Sequence, residues 1–240
     1  MEDQQCLLKT VGIIGGIGPE STIEYYRQII AFYREQKPDG SYPSIILNSV
    51  NFKPLLDLIL ANQWSQVTQH LVAELQKLAR AGADFAVIAA NTPHLVFDDI
   101  RRQSSIPLIS IVEATCEEAK VLHLKRLGLF GTRFTMQARF YPDIFFREGI
   151  TLAVPDKNDQ SYIHDKYMNE LINGIVLPET RERLLTIVEH MKERDDIQGL
   201  ILGGTELSLI LRHATAHDIA VLDTTRIHVK AIVTELLSPP

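Results

Sequence analysis

Cysteine is nearly absent from this 240-residue sequence, which holds only Cys6 and Cys116. Cys6 sits in a polar amino-terminal stretch. Cys116 lies in Glu113-Ala114-Thr115-Cys116-Glu117-Glu118, where neighbouring carboxylates raise a thiol's pKa. Two such thiols read as reduced and unpaired. No Cys-x-x-Cys or His/Cys cluster suggests zinc, so no metal is expected. Long apolar runs are missing too. No stretch approaches the roughly 20 residues of a membrane span. Met1 to Gln5 carries two acids and no apolar run, unlike a signal peptide. The expectation is a cytoplasmic protein without a membrane partner. Basic charge is in deficit: 24 Lys and Arg against 30 Asp and Glu give a net charge of −6, with no basic run longer than two residues. That removes the electrostatic case for nucleic-acid binding.

What is present is a repeated apolar pattern. Val11-Gly12-Ile13-Ile14-Gly15-Gly16 reads as a buried strand entering a glycine turn, and Pro19-Glu20-Ser21 opens a helix. Residues 44–50 read as a second strand. Val67, Leu71, Leu75 and Leu78 mark one face of a helix from about Trp64 to Ala81. Residues 84–90 form a third strand, broken by Asn91-Thr92-Pro93, and Pro107–Ile111 a short fourth. The pattern then restarts. Residues 127–132 match 11–16, residues 198–206 match the strand that ends at Asn91-Thr92, and residues 220–225 match the strand near Ile109. The nearly constant spacing indicates an internal duplication. Alternating strands and helices predict an α/β fold with parallel sheets in two similar lobes. The predicted boundaries are 1–108 plus about 224–240 for the first lobe and 109–223 for the second.

Ligands of parallel α/β sheets bind beyond the carboxyl ends of strands. That singles out Gly15-Gly16, Ser49, Asn51, Asn91-Thr92, Thr132 and Thr205-Glu206, which facing lobes would set around one cleft. Asn91, Thr92 and Thr205 are small neutral donors beside turns, suited to a carboxylate. Each motif alone also reads as a turn or helix cap. Their recurrence in both repeats favours the ligand role. Gly15-Gly16-Ile17-Gly18 lacks the third glycine of a dinucleotide loop, and no P-loop signature occurs. It reads as a tight turn near a small ligand, with no cofactor implied. His94 can bind ligand or cap structure. His213 and His217 are at helical spacing without a His-Glu-x-x-His pattern, so a metal is not implied. Arg133 and Lys166 are the candidate cations near the cleft, with Lys166 also readable as a surface-helix charge.

Five motifs, in order, carry a resemblance. Gly15-Gly16-Ile17-Gly18-Pro19-Glu20-Ser21-Thr22, Asn91-Thr92-Pro93-His94, Gly131-Thr132-Arg133-Phe134-Thr135-Met136, Gly203-Gly204-Thr205-Glu206 and Leu222-Asp223-Thr224-Thr225 with His228 resemble the aspartate/glutamate racemase family. The resemblance implies two Rossmann-like lobes related by a pseudo-twofold axis, an active-site cleft between them, often a homodimer, and PLP-independent racemisation of an amino acid. One thiolate removes the Cα proton and a thiol on the opposite face returns one. The frame must stabilise a carbanion and place a base on each face.

Against that pattern, the family's cysteine positions hold Ala90 and Gly204. Neither can accept a proton. His94, Glu206 and Asp223 are the only proton-transfer candidates borne by the motifs. The substrate-binding set is Gly16, Ile17, Ser49, Asn51, Asn91, Thr92, Thr132, Lys166, Gly204 and Thr205, with Ser49, Asn51 and Lys166 towards a distal carboxylate. Three readings follow: an isomerase using other groups, a lyase or decarboxylase using the same carboxylate pocket, or a non-catalytic binder of a small amino acid, dicarboxylate or other acidic metabolite.

Overall fold

The computed structural model describes residues 9–211 and 219–239. Cys6, His213 and His217 lie outside them. The chain divides into two compact units. One comprises residues up to Ala89, Val96–Ser110 and His228 onward. The other comprises Ala90–Leu95 and Ile111–Ile227.

The strands are β1 (Thr10–Gly15), β2 (Ser44–Ser49), β3 (Phe85–Ile88), β4 (Arg126–Gly131), β5 (Thr151–Ala153), β6 (Gly199–Gly203) and β7 (Ala220–Asp223). They form two sheets of order β2-β1-β3 and β5-β4-β6-β7, with every pairing parallel. Parallel pairing needs a crossover, and helices supply it: Pro19–Gln36 joins β1 to β2, and Trp64–Arg80 precedes β3. Proline and Glu20 in the first turn of Pro19–Gln36 suit a helix start.

The expected fourth strand is reduced to one bridge, Leu108 opposite Ala86. The Ala86 N–H donates to the Pro107 carbonyl (2.9 Å) and the Ile109 N–H to the Ala86 carbonyl (3.2 Å). Pro107 has no N–H to extend the ladder, and the helix Ile111–Val121 begins two residues after Ile109. With Leu108 counted, the first sheet runs in the same order as the second, consistent with duplication.

Side chains alternate across the second sheet as a strand requires. Phe130, Leu200 and Leu202 pack with Ile163, Tyr167, Leu184 and Met191 on one face. Leu127, Leu129, Ile201 and Leu222 pack with Val112, Tyr141 and Phe145 on the other. The first unit's core joins Val11, Ile13, Phe85 and Val87 to Tyr25 and Ile29, and to Val229, Ile232, Val233 and Leu236 of the helix Thr224–Leu237. Among the described residues no helix is long and apolar enough to cross a membrane.

Candidate functional site

Within the second unit, chain direction diverges between β4 and β6: β4 leads outward to β5, and β6 outward to β7. Such a divergence leaves a crevice at the strands' carboxyl ends. Gly131 of β4 pairs with Gly203 of β6. Thr132 and Gly204-Thr205-Glu206 therefore emerge side by side.

Thr132 caps the short helix Arg133–Gln137, its hydroxyl accepting from the Thr135 N–H at 3.3 Å. The Thr92 hydroxyl lies 3.0 Å from that of Thr132 and 3.5 Å from that of Thr135, and those two are 3.2 Å apart. Three hydroxyls thus gather at the end of β4. Asn91 is held from both sides. Its amide donates to the Thr224 hydroxyl (3.2 Å), which donates to the Leu202 carbonyl (2.7 Å). Its Oδ1 accepts from the Tyr141 hydroxyl at 2.6 Å. Burial pushes the Tyr141 pKa far up, so this phenol stays a donor.

The proton-transfer candidates are each placed by hydrogen bonds. The Ile111 N–H donates to His94 Nε2 at 3.3 Å, so Nδ1 carries the proton and donates to the Ala90 carbonyl at 2.9 Å. His94 is buried and ties Ala90 to the start of the helix Ile111–Val121. Asp223 accepts from the Arg226 N–H at 3.1 Å, capping the helix Thr224–Leu237. Glu206 is 1% exposed. Its Oε2 accepts from the Thr205 hydroxyl at 2.8 Å and from the Tyr167 hydroxyl. Burial, and then the Glu206 charge, hold the Tyr167 pKa well above the phenol range.

Ala90 is 5% exposed and ends in a methyl group. At Gly204, a side chain would meet Tyr167: a Cβ built there lies 2.5 Å from Cε2, 3.2 Å from Cζ and 3.3 Å from Cδ2.

The remaining expected residues divide differently. Gly16, Ile17, Ser49 and Asn51 belong to the first unit, where β1 pairs with β2 and Gly15 lies opposite Ser49. Gly16 has φ +79°, a conformation that favours glycine, and its N–H donates to the Thr22 hydroxyl at 2.8 Å. Ile17 is buried, Ser49 is exposed, and Asn51 caps the helix Phe52–Leu60 through the Lys53 N–H (3.1 Å). Lys166 pairs with Glu170, which also accepts from the Thr180 hydroxyl at 2.7 Å. Arg133 is exposed, with its guanidinium 5.6 Å from the Phe134 ring centre. His164 Nδ1 accepts from the Arg133 N–H at 3.3 Å, and burial lowers its pKa ahead of the Arg133 charge. For Cys116, burial is the leading cause of a pKa pushed up to about 11, ahead of Glu148 and Glu117. Among the described residues no three His, Cys, Asp or Glu side chains gather as a metal site.

Sequence reading missed Tyr141, Tyr167, Thr135, Thr224 and His164 as parts of this arrangement. Tyr141 and Tyr167 look like ordinary core aromatics on helices, and only strand-end geometry gives them partners. The assembled groups are neutral donors around two strand ends, plus one buried carboxylate. Such a set suits a small ligand with a carboxylate and another polar group.

The sequence matches the Asp/Glu/hydantoin racemase family over residues 14–232. It is 25% identical over 236 residues to the broad specificity amino-acid racemase RacX of Bacillus subtilis, covering 95% of this chain and 98% of RacX. A Yersinia pestis protein provisionally designated an Asp/Glu racemase is 34% identical, with a TM-score of 0.87 over 96% of this chain and 100% of that one. An aspartate racemase homologue from Pyrococcus horikoshii is 33% identical, with a TM-score of 0.84 over 96% of this chain and 100% of that one. With a match over most of its length and relatives that align along it nearly end to end, this chain belongs to the Asp/Glu/hydantoin racemase family.

Proposed function

We propose that this protein binds a small amino acid or dicarboxylate at the strand ends around Asn91, Thr92, Thr132 and Thr205, and does not racemise it by a two-thiol route. The feature that carries this reading is the pair Ala90 and Gly204, at the positions where the motif resemblance implies cysteines. A methyl group and a hydrogen accept no proton. Loss of one general base costs roughly 10²–10⁴-fold, and here both faces lack one. The carboxylate-binding donors meanwhile remain, and family relatives carry the names of amino-acid racemases.

The three substitute bases are each engaged in other hydrogen bonds, Glu206 with the hydroxyls of Thr205 and Tyr167. His94 uses both ring nitrogens in hydrogen bonds. Asp223 caps a helix. A lyase or decarboxylase would need an acid to protonate a carbanion, and Tyr167 is the phenol packed against Gly204. Giving up its proton would leave a phenolate against the Glu206 carboxylate, two buried negative charges in contact. Burial first, and then that charge contact, hold the Tyr167 pKa well above the phenol range. Binding is the reading that asks nothing of these groups they cannot do.

The test is a thermal-shift titration with L- and D-aspartate, L- and D-glutamate, malate and succinate, alongside proton NMR of the amino acids in deuterium oxide. The expected result is saturable stabilisation by at least one ligand and no Cα deuteration. Rapid Cα exchange by the wild-type protein would sink the non-racemising half, and a melting point that no ligand moves would sink the binding half.

A further inference from the structure

Gly204 is not glycine for the sake of its backbone. It is absent from the residues with positive φ, so it does not sit in the left-handed region that favours glycine. What excludes a side chain is Tyr167. The three atoms nearest a Cβ at 204 all belong to that ring, the first at 2.5 Å, where no real Cβ sits. The ring cannot swing aside cheaply. Tyr167 projects from the helix Lys157–Asn169 into the core with Phe130, Ile163, Leu202 and Leu207, and is 7% exposed. Its hydroxyl is anchored on Glu206, which Thr205 fixes in turn.

We propose that Tyr167 is the specificity-determining residue of this site: its ring fills the volume of a side chain at position 204 and makes that side a neutral aromatic wall. Tyr167 and Gly204 form one co-adapted pair. Restoring a thiol at 204 then requires trimming Tyr167 as well, and cysteines at 90 and 204 are not enough by themselves. This inference rests on reading the strand ends of β4 and β6 as the ligand site.

Two measurements test the pair. The first is a melting cycle of wild type, Gly204→Ala, Tyr167→Leu and the double variant. The added methyl overpacks the wild-type ring, so Gly204→Ala lowers the melting point by roughly 3–10 °C. In the Tyr167→Leu background the same substitution costs less than half of that. Equal costs in both backgrounds would overturn the proposal. The second is Cα deuterium exchange of aspartate and glutamate, comparing Ala90→Cys/Gly204→Cys with the same variant carrying Tyr167→Leu. Exchange at least about 100-fold faster in the triple variant is expected. Equal, rapid exchange without the Tyr167 change would overturn the exclusion of a thiol by Tyr167. Coupling in the melting cycle with exchange in neither variant supports the pairing and overturns the ligand-site reading on which its consequence rests.

Discussion

The turn after β1 and the end of β4 occupy equivalent places in the two repeats, yet they are built from different materials. After β1 the chain turns on backbone. Gly16 and Gly18 have φ of +79° and +92°. The Gly16 N–H is taken by the Thr22 hydroxyl, and the hydroxyls of Ser21 and Thr22 donate to the Gly18 carbonyl. Around the ends of β4 and β6 the arrangement is made by side chains, some of them carried by the segment after β3: hydroxyls of Thr92, Thr132 and Thr135, and the clamps Tyr141–Asn91 and Tyr167–Glu206. Duplicated strands therefore do not dictate duplicated sites. A turn that consumes its own polar groups positions the chain, whereas side chains carried by neighbouring elements decide what a ligand meets.

The harshest way to break this comparison is to add one methyl group to a glycine in each place. At Gly16 the methyl would press on the Val50 N (2.7 Å) and on Ser49 Oγ (2.9 Å), and the positive φ adds its own strain. Backbone cannot yield as a side chain can. Gly16→Ala should cost about 4 kcal/mol, lowering the melting point by roughly 8–16 °C. Gly204→Ala should cost distinctly less, and only its cost should respond to Tyr167→Leu. A Gly16→Ala protein that melts within a degree or two of wild type would show that the first turn is not backbone-limited.

Two buried histidines sharpen the contrast, because the hydrogen bonds select opposite tautomers. In the first unit His228 accepts from the Tyr25 hydroxyl at Nδ1 (2.8 Å) and donates from Nε2 to the Ile109 carbonyl (3.1 Å). His94 carries its proton on Nδ1 instead. Burial lowers the His228 pKa from 6.5 to about 4. The unfolded chain therefore binds the proton first as pH falls. The stabilising contribution is whole above pH 6.5, drains away between 6.5 and 4, and amounts to roughly 3 kcal/mol. Urea midpoints measured across that window should fall for wild type, and His228→Asn should flatten the slope. Equal slopes would mean that other groups carry the acid sensitivity.

The sequence discloses the features that are local. Glycine-ended apolar runs mark β1 and β4, and their recurrence marks the duplication. Thr132 is legible as a strand-end residue because it directly follows β4, and Thr205, Asn91 and Thr92 because they come two to four residues after β6 and β3. The three-residue β5 is not legible, since Thr151–Ala153 is too short to show a period. The supposed strand at Pro107–Ile111 shrinks to a bridge because apolar content does not reveal where N–H groups run out. The residues that fix Asn91 and fill the space at Gly204 lie 50 and 37 positions away in sequence (Tyr141 and Tyr167). Nothing in a linear pattern separates them from core aromatics, because their role exists only once the helices pack on the sheet.

The smallest expected effect tests whether the side-chain frame is a ligand frame at all. Tyr141→Phe keeps the ring and its neighbours, Phe140 and Phe145, whose ring centres lie 5.1 and 5.9 Å away. It removes only the hydroxyl that donates to Asn91 Oδ1. A neutral buried hydrogen bond of this kind is worth about 1–2 kcal/mol, so the melting point should fall by roughly 2–8 °C. The amide of Asn91 still donates to Thr224, but it loses the second of its two restraints. If Asn91 presents its amide to a ligand carboxylate, that freedom must be removed again on binding, and affinity should weaken by about 3- to 10-fold. A variant that loses stability yet binds as tightly as wild type would place Asn91 in the scaffold and confine the ligand frame to the hydroxyls of Thr92, Thr132 and Thr205. A loss in both would join the buried phenol, the amide and the ligand in one chain of hydrogen bonds.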